Sequence, residues 1–170
     1  MYSEKFLDIF KNPLNAGGLQ GANGVGKYID SSCGDSIKIY LKFDENQTII
    51  GAHFKALGGT ATIVAGSAIC SCLLDCNINE ALNIDEDRIM EVTGEFPSEK
   101  RYAIDFAKKA LVNAIENYKN NLEKEIKKNA KKSPIKEEKP KQEKPNITPE
   151  ISDRRNVSAA KAKFDEMFNL

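Results

Sequence analysis

The sequence has no tryptophan and a single histidine, His53. One imidazole excludes a site built on several of them, as in zinc centres that use two or three histidines. There is no excess of charge of either sign, since 25 lysines and arginines balance 25 aspartates and glutamates. Without a basic excess, nothing marks nucleic acid as an obligatory partner. No apolar run reaches membrane-spanning length, and the start, "MYSEKFLDIF", lacks the basic residues and small-residue cleavage site of a secretion signal. These gaps predict a soluble, cytoplasmic protein that engages neither membrane nor nucleic acid. Cysteine is scarce too: Cys33 stands alone, and Cys70, Cys72 and Cys76 are crowded together. Their irregular spacing does not make a disulfide framework, which leaves thiol chemistry or plain burial.

What is present reads as one domain with extensions. Phe6, Leu7, Ile9 and Phe10 form a short amphipathic helical pattern that Asn12-Pro13 ends. A loop rich in glycine and asparagine follows, with one short strand around Lys27 to Ile29. Ile37, Ile39, Leu41 and Phe43 alternate with Lys38, Tyr40 and Lys42. After the turn Asp44-Glu45-Asn46 the alternation recurs in Ile50, Ala52, Phe54 and Ala56, predicting an antiparallel hairpin over 36–56. "TATIVAGSAICSCLLDC" is small and apolar on nearly all sides and suits a helix across the sheet that carries all three crowded cysteines. "NINEALNI" and "DEDRIMEV" are short helices, each with an asparagine or aspartate to cap it. Ile104, Ala107, Leu111, Ile115, Tyr118 and Leu122 mark one long amphipathic helix. The expected class for residues 1–126 is α+β: a small antiparallel sheet of about three strands covered by helices, ending in a long C-terminal helix.

Residues 127–152 are dense in lysine, glutamate and proline, with too little apolar surface to offset the entropy of ordering, and are expected to be a disordered linker. In 153–170, Val157, Ala160, Phe164, Met167 and Phe168 recover helical spacing. A short amphipathic helix there would dock on its own domain or on a partner.

The chemistry concentrates in "SSCGDSIKIYLKF", where Cys33 and Asp35 enter the first hairpin strand. A thiolate and a carboxylate two residues apart make a candidate metal- and cofactor-binding pair, although two groups alone hold an ion poorly. Read without metal, Asp35 accepts backbone hydrogen bonds and Cys33 is a loop thiol. No histidine stands in sequence position to activate Cys33, so an enzyme is not expected. His53 falls on the polar alternation of its strand and is expected to be exposed.

The chain resembles the NifU/IscU family of iron-sulfur cluster assembly scaffolds. "YSEKFLDIFKNPLNAGGL" is similar to the family's opening at Tyr2, Ser3, Asp8, Asn12, Pro13, Asn15 and Gly17. "SCGDSIKIYLKF", "IIGAHFKALGGTATIVAGS", "NINEAL" and "AIDFAKKALVNAIENYK" resemble successive later segments, covering about residues 1–122. The resemblance implies a ligand set of three cysteines, an aspartate and a histidine holding a [2Fe-2S] cluster, or zinc in its place. Here the set is reduced to Cys33 and Asp35: Gly59 occupies the second cysteine position, and Tyr102 and Ala103 those of the histidine and third cysteine. Cys70, Cys72 and Cys76 cannot complete the set from further along one helix, at roughly 16 Å or more from Gly59 for a rise of ~1.5 Å per residue. "FPSEK", Phe96 to Lys100, stands where the family has its chaperone-recognition segment. The resemblance therefore implies a scaffold or carrier that binds iron or a [2Fe-2S] cluster, weakly or between the protomers of a homodimer. Cysteine desulfurase and other assembly proteins would be its partners. The alternative is a metal-free adaptor of the same fold.

Overall fold

The computed structural model describes residues 2–132. The terminal helix expected at 153–170, and the expected linker beyond Lys132, lie outside the described residues.

Helix α1 (Glu4–Lys11) begins at Ser3, whose hydroxyl accepts the Phe6 N–H and donates to the Thr93 carbonyl. Strands β1 (Gly24–Ile29), β2 (Ser36–Phe43) and β3 (Ile49–Leu57) form one antiparallel sheet in the order β1-β2-β3. Helices α2 (Thr60–Cys72), α3 (Ile78–Leu82) and α4 (Glu86–Thr93), a 3-10 turn at Ser98–Lys100, and α5 (Tyr102–Lys132) complete it. This is the expected α+β architecture. Asn77 caps α3 with a reciprocal bond from Glu80, and Asp85 caps α4, as their sequence positions predict.

Period-two alternation sorts the sheet into two faces. Ile37, Ile39, Leu41 and Phe43 are buried beneath α2 and α5, with Ala52 and Phe54 beside them. Each edge of the sheet is also occupied. Asn113, Asn117 and Asn121, spaced four apart on α5, bond the Lys27 carbonyl, the Val25 N–H and the Asn23 carbonyl along β1. Asn15 and Gly17 pair with Phe54 on β3. An edge strand left unpaired is an association hazard, and here side chains and a loop take up its backbone groups. None of the described helices is long and apolar enough to cross a membrane.

Three elements differ from expectation. β1 starts at Gly24, earlier than Lys27, because Gly24 and Gly26 interrupt the apolar alternation while remaining in the ladder. α2 stops at Cys72, so Cys76 is not on the same helix as Cys70 and Cys72. The apolar composition continues, but Asp75 turns into the left-handed region at φ 63°, and the Asp75 N–H and Cys76 carbonyl bond with Ile49 at the start of β3. A tertiary pairing ends that helix where local composition would carry it on. α5 in turn extends as helix to Lys132, past residue 126, through residues of good helix propensity.

Candidate functional site

The Cys33 loop is organised by Asp30. Its backbone N–H donates to the Asp35 carbonyl and its carbonyl accepts the Gly34 N–H, both at 2.9 Å, closing the turn, while Gly34 adopts φ 77°. Its carboxylate Oδ1 accepts the Ser32 N–H at 2.8 Å, the Ser32 hydroxyl and the Cys33 N–H at 3.2 Å. The Cys33 thiol lies 3.5 Å from the same oxygen. The Ser32 hydrogen bonds are the main reason the Asp30 carboxyl sits below its ordinary value. Cys33 is held at the rim of a pinned turn with its side chain exposed.

Asp35 points elsewhere. Its Oδ2 accepts the Thr62 hydroxyl and, at 3.4 Å, the N–H of Gly59, the N-cap residue of α2. Gly59 has no side chain to cap α2, and Asp35, in the loop just before β2, ties that loop to the start of the helix through these two bonds. Gly58 makes room for it, since a Cβ there would stand 2.5 Å from the Asp35 carboxyl carbon. Asp35→Ala is expected to destabilise the protein by about 1–2 kcal/mol in urea unfolding, because the fully buried Thr62 hydroxyl loses its partner and the Gly59 N–H its acceptor.

Cys33 and Asp35 thus share one loop, and Asp35 brings that loop against Gly59. The other matched positions carry no donor of the expected kind. Ala103 is fully buried at the start of α5, and Tyr102 packs its ring 5.2 Å from that of Phe106. The remaining thiols are ill suited to ligation. Cys70 and Cys72 are buried, and burial pushes the thiols of Cys70, Cys72 and Cys76 above their ordinary value. Among the described residues no group of three or more His, Cys, Asp or Glu side chains is arranged to hold a metal ion. The described residues of a single chain therefore do not make up a complete cluster or zinc site. His53 is half-buried rather than exposed, and its Nδ1 has no hydrogen-bond partner among the described residues. Phe96, within the segment matched to chaperone recognition, is buried edge-on against Phe6 at 5.0 Å.

Sequence reasoning missed Asp30 and Thr62. Asp30 carried a usable signal, an aspartate two residues before a serine N–H as in an Asx turn. Thr62 carried none, because its role depends on a residue 27 positions away.

A three-stranded antiparallel sheet backed by helices, with an exposed thiol in the loop before β2, defines a small α+β domain. The model of the NifU-like N terminal domain matches residues 1–125, and the chain belongs to that family. It is 36% identical over 137 residues to "Iron-sulfur cluster assembly scaffold protein IscU 1" of Archaeoglobus fulgidus, covering 81% of this chain and 84% of that protein. It is 35% identical over 118 residues to the scaffold protein IscU of Aquifex aeolicus, covering 69% and 75%. With the nitrogen fixation protein NifU of Azotobacter chroococcum it shares 34% over 119 residues, 69% of this chain but only 38% of that longer relative. The N-terminal domain of a NifU-like protein from Brucella abortus has the same fold at a TM-score of 0.55 and 14% identity, covering 69% of this chain and 94% of that one.

Proposed function

We propose that the protein serves iron-sulfur cluster assembly as a non-catalytic scaffold or carrier in the cytoplasm, with cysteine desulfurase and other assembly factors as partners. The observation that supports it most is the exposed Cys33, pinned in a turn at the family's first ligand position while Cys70 and Cys72 are buried and Cys76 is half-buried. Membership of the family, and relatives named as assembly scaffolds, give that thiol its context. The cargo is iron or a [2Fe-2S] cluster, for which a soft anionic thiolate is the suitable donor; zinc would bind in its place. One chain contributes Cys33 and Asp35, so the cargo is held weakly or shared by two copies, each contributing the same pair.

The engagement of Asp35 by Thr62 and Gly59 favours a second reading, a metal-free adaptor that binds the desulfurase or another assembly factor. Anaerobic reconstitution with iron, sulfide and a thiol reductant separates the two. A visible chromophore that vanishes in Cys33→Ala, and persists when Cys70, Cys72 and Cys76 are replaced, is the expected result. Wild type and Cys33→Ala equally colourless and free of metal would sink the scaffold reading in favour of the adaptor.

A further inference from the structure

The sheet face turned away from the helices carries a pattern visible only in the strand register. Lys27 on β1 pairs with Lys38 on β2, and Lys38 pairs with Lys55 on β3. Directly paired residues in antiparallel strands project from the same face, so three ammonium groups form one row across the sheet. Like charges placed directly opposite destabilise a sheet. Among the described residues the ion pairs are Arg101 with Glu86 and Lys127 with Glu123, and neither relieves this row. Lys38 and Lys55 lie over the Tyr40 ring, 5.1 and 6.0 Å from its centroid, which gathers the charge near the middle of the face.

The next row of the register is Ile29, Ser36 and Leu57. Ile29 is 56% exposed and Leu57 is 74% exposed, large apolar side chains left open beside the lysines. That row also borders the Cys33 loop, since Asp30 follows Ile29 and Gly58-Gly59 follow Leu57. The fold gains nothing from three opposed lysines, and the chain as a whole has no basic excess from which such a cluster would arise by composition alone.

We propose that this open sheet face docks an acidic protein surface: carboxylates on the partner meet Lys27, Lys38 and Lys55, and apolar side chains at its edge cover Ile29 and Leu57. A protein surface fits better than a nucleic acid. The three strands carry no arginine, and the exposed aliphatic row offers a phosphate backbone nothing. The partner would abut the loop that presents Cys33, whether or not that loop carries metal, so the inference is independent of the cargo.

The test is a titration of the isotope-labelled full chain with a capped peptide of alternating glutamate and leucine residues, followed by amide chemical shifts. Perturbations should concentrate on the rows of Lys27 and Ile29 and weaken as salt is raised. The double variant K38E/K55E should lose about tenfold or more in affinity, whereas K119E/K124E, with the same change in net charge on exposed α5 positions, should stay within about twofold. K38E/K55E exchanges two lysine–lysine oppositions for one attractive Lys27–Glu pair at position 38 and one glutamate–glutamate opposition, and should melt close to wild type, which separates lost docking from lost folding. Equal weakening in both variants, or shifts spread over all lysines, would reduce the effect to bulk charge and overturn the proposal. Tighter binding of a single-stranded oligonucleotide at this face would transfer it to nucleic acid. Shifts on the same rows that grow with protein concentration alone would assign it to a second copy of the chain.

Discussion

Gly59→Cys should convert the Cys33 loop from a poor metal site into a measurable one, raising zinc affinity well above wild type while leaving the fold intact. Gly59 is the position at which the family resemblance expects a second thiolate, and its N–H already lies 3.4 Å from Asp35 in the Cys33 loop. A Cβ built there meets nothing within 4 Å, and the residue has φ −71° and ψ 171°, open to any side chain. Zinc favours sulfur ligands, and a thiolate at position 59 adds a second sulfur donor on the segment that Asp35 ties to the Cys33 loop. Outer-shell partners of a metal ligand are worth roughly 10–100-fold in affinity, and a direct ligand should exceed that. Competition with a chromophoric chelator measures the gain. Gly58→Cys is the control, because its Cβ would fall 2.5 Å from the Asp35 carboxyl carbon at φ +156°; it should disturb the loop without gaining metal. If Gly59→Cys binds zinc no better than wild type, with Cys33 still reactive toward a thiol reagent, the two positions do not converge. The matching of Gly59 to the second ligand position would then be wrong.

Much of the fold was legible because the relevant signals are local. The alternation from Ile37 to Phe43 fixes a strand with one buried face, and all four of those apolar residues are buried in the structure. Asn77 and Asp85 announce two helices by capping chemistry that spans only a few residues. The start of β1 was hidden because glycines at 24 and 26 carry no hydropathy signal, though they are what lets a helix approach. The end of α2 was hidden for a different reason: the pairing of Asp75 and Cys76 with Ile49, distant in sequence, decides it. At the candidate site, residue types alone nominate Cys33 and Asp35, but they do not show that Asp35 turns toward Thr62 and Gly59 or that Asp30 holds the thiol-bearing turn. The lysine row has the same character. Each lysine is an ordinary polar residue of an amphipathic strand, and only the pairing of three strands makes them neighbours.

Gly26→Ala should destabilise the protein by about 3 kcal/mol or more, a large effect for the addition of one methyl group. Gly26 lies on β1 against α5, and a Cβ there would stand 2.1 Å from the Ala114 nitrogen and 2.2 Å from the Ala110 carbonyl oxygen. Both obstacles are helix backbone, which cannot rotate aside as a side chain would. Relief therefore requires α5 to lift from β1. That motion would strain the Asn113, Asn117 and Asn121 hydrogen bonds along the strand and the contacts of Tyr28 with Phe106 and of Phe43 with Tyr118, whose ring centroids lie 5.1 and 4.0 Å apart. Gly26 is not among the residues with positive φ, so the cost is steric and not a matter of backbone conformation. Gly51→Ala supplies the comparison: its Cβ would meet the tip of the Leu19 side chain at 3.2 Å, which can shift, and should cost less than about 1 kcal/mol. Urea unfolding of both variants reads the difference, and hydrogen exchange at the β1 amides should quicken in Gly26→Ala alone. Equal stability of the two variants would mean that α5 does not approach β1 this closely. The buried start of α5 at Ala103 would then need to be placed again relative to the sheet.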